Sequence, residues 1–107
     1  MTVSVQWSPD EEGLIQAVAE SWGQSVRRTR EKLGLSQRDL AQRAGTTQQS
    51  LSKLENGSFL PSDLYKVRLA HALGKDVSRL FAWPEAARHH TRRTTDQAHK
   101  RSATSTP

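Results

Sequence analysis

Residues 37–56 read QRDLAQRAGTTQQSLSKLEN, and the placing of their apolar side chains decides how the chain folds. Leu40, Ala41 and Ala44 fall on one face of a helix, and so do Leu51 and Leu54 after an interruption at Gly45, because residues three and four apart share a face. Ser36 with Asp39 three residues on forms a capping-box signature and predicts a helix over about 37–44. Either Thr46 or Thr47 can cap the next, about 48–56, and Thr46 has Gln49 at the matching distance. Ala41 is small where two helix backbones must approach at a steep angle, and Gly45 sits at the turn between them. Both features are needed when a turn of about three to four residues joins helices at roughly 90–120°. The polar face of the second helix carries two adjacent amides, Gln48 and Gln49, with Lys53 one turn on.

The same punctuation extends outward. Gly34, Gly45, Gly57 and Gly74 each follow a helical pattern, at positions where the residue after a helix must often take positive φ. Ser62, after Pro61, opens a helix to Leu73, and Asp76 caps a short last one ended by Pro84. Upstream, Ser8-Pro9-Asp10-Glu11-Glu12 supplies a cap, a proline at N1 and acids for the first turn. Leu14, Val18, Trp22 and Val26 then recur every four residues, with Leu33 near the end. Gly13 and Gly23 leave open one bent helix or two. The expectation is five or six short helices and no sheet. Val3, Val5 and Trp7 alternate with polar residues over six positions, a strand pattern too short to stand alone, read as an arm that docks or stays mobile. After Pro84 no aliphatic residue larger than Ala occurs, so residues 84–107 are expected to be a disordered basic tail.

Composition bounds the function. The 107 residues correspond to one small domain. No apolar run is long enough to span a bilayer, and the N-terminus lacks the basic start and apolar stretch of a secretory signal. The absence of cysteine excludes disulfides and thiolate metal sites and fits a reducing cytoplasm. The net charge of +5 is unevenly spread. Residues 1–21 carry four acidic side chains and no Lys or Arg, whereas residues 22–83 carry 11 basic against 5 acidic, and residues 84–107 carry 5 against 2. The middle and the tail are therefore drawn to a polyanion, of which nucleic acid is the commonest. His71 is expected on the outer face of its helix, and His89, His90 and His99 lie in the tail. No metal site, cofactor or Ser/His/Asp arrangement is expected, so an enzyme reading has no residues to carry it.

The register of small, glycine and apolar positions over residues 37–56 is that of a helix-turn-helix. From Gly23 to about Phe81, the strings SVRRTREKLGLSQRDLAQRAG, TTQQSLSKLENG, LAHALG and DVSRLF resemble the Cro/lambda-repressor-like (Xre) helix-turn-helix family. The resemblance implies an all-α, compact five-helix domain over residues 23–83. Residues 1–22 form an N-terminal arm and acidic helical extension outside it, and 84–107 the tail. It implies that the helix at about 48–56 lies in the DNA major groove with its N-terminal residues against base edges. A glutamine amide there matches the N7 acceptor and N6 donor of adenine, so Gln48, Gln49 and Lys53 are the expected base readers. Gln37, Thr47, Ser50, Asn56 and Ser58 are the expected backbone contacts, Gln37 assisted by the dipole of its helix. Arg30 and Glu55 fall where family members place an internal ion pair. Arg27, Arg28, Arg38, Gln42 and Arg43 read as solvated surface. Phe59, Leu60, Phe81 and Trp83 are the dimer candidates.

The function implied is a sequence-specific double-stranded DNA-binding transcriptional regulator, most simply a repressor, a homodimer on a palindromic operator in the cytoplasm, on the nucleoid. Two other readings fit the same residues. One is the antitoxin of a toxin–antitoxin pair, with residues 1–22 or 84–107 masking a protein partner. The other is a protein-interaction or coactivator module that no longer reads bases, against which Gln48, Gln49 and Lys53 argue.

Overall fold

A computed structural model describes residues 9–85 and 87. The chain forms α1 (Pro9–Lys32), α2 (Gln37–Ala44), α3 (Gln48–Glu55), α4 (Asp63–Leu73) and α5 (Val77–Leu80), with no strand among the described residues. The stretch that left one or two helices open is a single helix. At 24 residues, α1 is about 36 Å long, and Gly13 and Gly23 both lie inside it. It therefore runs unbroken through Trp22, where the sequence pattern divides arm from domain. The alternating Val3-Val5-Trp7 stretch lies outside the described residues.

The core forms where the inward faces of these helices meet. Val18, Trp22 and Val26 of α1 are buried with Leu40, Ala41 and Ala44 of α2 and Leu51 and Leu54 of α3. Leu69, Ala70 and Leu73 of α4 join them, as do Leu80 and Phe81. Leu14 is half-buried against this cluster, whereas Leu33 is exposed. The helix has ended one residue earlier, at Lys32, and the turn through Gly34 brings Leu35 onto the core instead.

Trp22 organises the far end of the domain. Its ring meets Phe81 edge-on at 5.8 Å, its Nε1 donates to the Ala82 carbonyl at 2.9 Å, and Lys66 Nζ lies 4.2 Å above its centroid. Ser25 Oγ donates to the Leu80 carbonyl at 2.6 Å. Together these contacts hold α5, a helix of four residues with no side-chain cap bond from Asp76, to the middle of α1. Beyond Pro84, Glu85 and Ala87 are helical and Ala87 is buried in the core, although the composition there predicts an unpacked tail. Alanine loses no rotamer freedom on burial, so a small helical contact forms without large apolar side chains. The rest of that segment lies outside the described residues.

The helix ends follow the predicted chemistry closely. Ser36 and Asp39 form both halves of the capping box on α2: Asp39 N donates to Ser36 Oγ at 3.0 Å, and Ser36 N to Asp39 Oδ2 at 3.1 Å. These bonds to Ser36, with the charges of Arg43 and Arg38, hold the Asp39 carboxyl below its ordinary value. A carboxyl depressed in the folded state contributes stability that is fully present above its unfolded pKa, about 3.9, and lost as pH falls through the folded value. Asp39→Asn is therefore expected to lower stability at neutral pH and to flatten the acid limb of a stability–pH curve measured by urea unfolding. An unchanged acid limb would mean that the Asp39 carboxylate makes no contribution.

Candidate nucleic-acid interface

Three features set the position of α3. Its N-cap is Thr47, whose Oγ1 accepts from Ser50 N at 3.1 Å and donates to Ser50 Oγ at 3.0 Å. Of the two candidate caps Thr46 is otherwise engaged: its N–H closes the end of α2 on the Ala41 carbonyl, and its hydroxyl bonds Tyr65 OH at 3.1 Å. Gly45, at φ 69°, makes this reversal between α2 and α3 possible. At its other end α3 lies against α1. A Cβ built on Gly23 would come closer to the Leu54 carbonyl oxygen than real Cβ atoms do and would lie 2.8 Å from that of Glu55. Backbone thus meets backbone where those two helices cross.

An ion pair locks the same crossing. Glu55, with its side chain 2% exposed, accepts from Arg30 Nε at 2.8 Å and Arg30 Nη2 at 3.0 Å. Arg30 Nη1 continues to the Leu35 carbonyl at 2.8 Å, so one guanidinium joins α1, the turn before α2 and the last turn of α3. The hydrogen bond that Arg30 donates to Glu55 is the main cause that raises the Arg30 pKa above its already high ordinary value, against the opposing effect of burial. The guanidinium is therefore charged at every accessible pH. Gln37 enters this network too, donating from Nε2 to Glu55 Oε1 at 3.1 Å. The sequence reading placed Gln37 only as a backbone contact and missed this bond. On α2 it lies about 60° from Leu40 and 20° from Ala44 at 100° per residue, on the inward side, and it is half-buried.

What remains outward on α3 is polar. Leu51, Leu54 and Glu55 are buried, whereas Gln48, Gln49, Lys53 and Asn56 are exposed. At 100° per residue Gln49, Lys53 and Asn56 fall within about 60° of one another, and Gln48 stands at the helix start beside them. Thr47 and Ser58 flank this strip and are exposed, and Ser50 is half-buried. The Ser58 N–H is used internally, on the Lys53 carbonyl. Arg38, Gln42 and Arg43 are exposed along α2.

The four dimer candidates separate. Phe81, expected at a surface, is 7% exposed and packs into the core on Trp22; its ring fills the space that short α5 leaves beside α1. Phe59 is half-buried, edge-on to Tyr65 at 6.0 Å. Leu60 and Trp83 are exposed. His71 is exposed on α4, and no group of side chains able to hold a metal ion occurs among the described residues.

A capped pair of eight-residue helices joined at a left-handed glycine, with the second helix clamped below and polar above, defines a helix-turn-helix domain of the Cro/lambda-repressor type. Residues 26–80, just over half of the chain, match the helix-turn-helix family model HTH_3, and the chain belongs to that family. It is 43% identical over 51 residues to a protein of Methanothermobacter thermautotrophicus described as an uncharacterized HTH-type transcriptional regulator, a match covering 48% of this chain and 74% of the relative. Two crystal structures of the clp gene regulator ClgR from Corynebacterium glutamicum share the fold. One superposes with a TM-score of 0.57 at 30% identity, covering 59% of this chain and 82% of that one. The other gives 0.60 at 26% identity, covering 77% and 87%.

Proposed function

We propose that this chain is a sequence-specific double-stranded DNA-binding repressor that works as a homodimer on a palindromic operator. The observation that carries the reading is the two-sidedness of α3. One side is fixed to α1 through Glu55, Leu51 and Leu54, while the other presents Gln48, Gln49, Lys53 and Asn56 to solvent. A base-reading helix needs that rigidity, because an amide discriminates between bases only when both its donor and its acceptor are held in place. The likeness to gene regulators from two organisms supports a regulatory role.

In this reading Gln48 and Gln49 read adenine edges and Lys53 a guanine edge or a phosphate. Thr47, Ser50, Asn56 and Ser58 contact the DNA backbone. Gln37 does so only through whatever capacity its bond to Glu55 leaves, because that bond uses one of its two amide hydrogens. Dimerisation follows from the size of the site. One eight-residue helix covers few base pairs, and helix-turn-helix proteins use two copies about 34–36 Å apart. Of the exposed pair, Leu60 remains as the surface candidate for the contact.

Selection of bound duplexes from a random pool tests the proposal directly. A two-fold symmetric consensus is the expected result. Enrichment of no sequence would leave a non-specific DNA binder or an interaction module. Against the selected duplex, Gln48→Ala and Gln49→Ala are each expected to weaken binding by about 1–3 kcal/mol per lost bidentate contact, measured by fluorescence anisotropy. Binding to scrambled DNA should barely change. Equal losses on both duplexes would assign the glutamines to folding rather than reading.

A further inference from the structure

On the side of α1 away from α3 lies a cleft of about 170 Å³ whose lining includes Ser21, Trp22, Ser25, Arg28, Arg79 and Trp83. At 100° per residue, Ser21, Ser25 and Arg28 stand about 140–200° around α1 from Gly23, whose backbone touches α3. The cleft is therefore remote from the exposed strip of Gln49, Lys53 and Asn56. Its walls are fixed by the two hydrogen bonds that pin the end of the domain, Trp22 Nε1 to the Ala82 carbonyl and Ser25 Oγ to the Leu80 carbonyl.

Its electrostatics are one-sided. Among the described residues two arginines from different helices line it, no acidic side chain does, and neither arginine forms an ion pair. Cations gathered in a cleft with low-dielectric walls focus a positive potential into it. Guanidinium groups pair with carboxylate or phosphate oxygens through charge-assisted, often bidentate bonds. One part of the wall is aromatic: Trp83, 41% exposed, stands edge-on to Trp22 at 6.5 Å, with Ser21 and Ser25 beside them. The volume equals that of about five or six waters at about 30 Å³ each, well below the roughly 300–1,000 Å³ of drug-sized sites.

We infer that this cleft is a binding site for a small organic oxyanion, a carboxylate or phosphate carried on a flat apolar body. Arg28 and Arg79 take the charged head, and the indole of Trp83 takes the body. Such a ligand bridges α1 to the segment after α5 without entering the α3 surface, which is the placement of an effector rather than of DNA. The inference stands independently of which sequence, if any, α3 reads.

The full chain can be titrated with phenyl phosphate and with benzoate at constant ionic strength, following tryptophan emission and the midpoint of thermal unfolding. A saturable emission change and a raised midpoint with at least one probe are expected. Arg28→Gln and Arg79→Gln each remove one of two charge-assisted contacts and should weaken binding about tenfold or more. Both side chains are exposed, so the variants should melt like the parent without ligand. Arg27→Gln, outside the cleft and paired with Glu31, should bind as the parent does. Random-sequence duplex should not displace the probe. The inference is overturned by a response to neither probe, by responses that do not saturate, by undiminished binding in both arginine variants, or by displacement by the duplex, which would make the cleft part of the DNA surface.

Discussion

Replacing Gly23 by alanine is expected to destabilise the domain by about 1–2 kcal/mol, the opposite of what helix propensity alone demands. In an exposed helix interior, glycine to alanine gains about 1 kcal/mol. Gly23, however, is buried in α1 where the added methyl would meet the carbonyl oxygens of Leu54 and Glu55. Those are backbone atoms of α3, so no rotamer change can clear the space and the two helices must separate. Overpacking of this kind costs about 1–3 kcal/mol and occasionally more, enough to outweigh the propensity gain. For a domain of this size each kcal/mol moves Tm by about 4–8 °C, so the midpoint should fall by on the order of 10 °C. Gly13 is the internal control: it lies in the same helix with nothing within 4 Å of an added Cβ, and Gly13→Ala should stabilise by up to about 1 kcal/mol. Because the clash falls on the last turn of α3, Gly23→Ala should also weaken DNA binding in whatever fraction remains folded. A midpoint for Gly23→Ala at or above that of the parent would mean that α1 and α3 do not touch through their backbones.

That crossing also marks the limit of what can be read from the chain alone. Local features were legible because each depends on a few neighbouring residues. The Ser36–Asp39 box, the Ser62 cap and the four glycines at positive φ are all found where composition and spacing place them. The inward faces of α1, α2 and α3 were legible for the same reason, since apolar periodicity reports burial directly. Features that depend on residues far apart were not. Nothing near Gly23 in sequence says that residues 54 and 55 come against it. Its signal was an interior glycine in a strong helical pattern, which marks either a bend or a close approach. The choice between Thr46 and Thr47 was likewise decided by a partner 19 residues away, Tyr65, which engages the Thr46 hydroxyl. Phe81 read as a surface residue because it ends the last helix, which in family members flanks the two-fold axis, yet Trp22, far back in α1, draws it inward.

The polar strip on α3 was legible in outline and incomplete in its support. Gln49 and Lys53 are outward-facing positions that helical spacing identifies, whereas Gln48, about 60° from Leu51 and 20° from Glu55 at 100° per residue, is exposed because it opens the helix. Gln37 lies outside such a reading, because its half-buried amide is spoken for by a carboxylate 18 positions on. Its backbone contact, if made, is shared with the internal network, whereas the exposed strip answers only to the ligand.

Truncating Glu55 to alanine should cost about 3–5 kcal/mol, the range for breaking a buried pair from one side, and a large fraction of the stability of a domain whose total is about 5–15 kcal/mol. The reason lies in what is left behind. Arg30, with its side chain 11% exposed, would keep its charge while losing both Glu55 oxygens, left with the Leu35 carbonyl and the Glu31 carboxylate 3.9 Å away. It cannot escape by deprotonation, since its pKa lies above every accessible pH even without its partner. Gln37 would lose its acceptor at the same time. Glu55→Gln preserves the shape and one carbonyl acceptor, so its loss should be smaller. Removing both charges with the double variant Arg30→Met/Glu55→Leu should recover much of the deficit, because a well-packed apolar pair often matches a buried ion pair of similar volume. Urea unfolding of the parent, Arg30→Met, Glu55→Leu and the double variant measures the coupling as the departure from additivity. If the double variant were as unstable as Glu55→Ala, the deficit would come from lost packing at the end of α3, and the stranded charge would not be its cause.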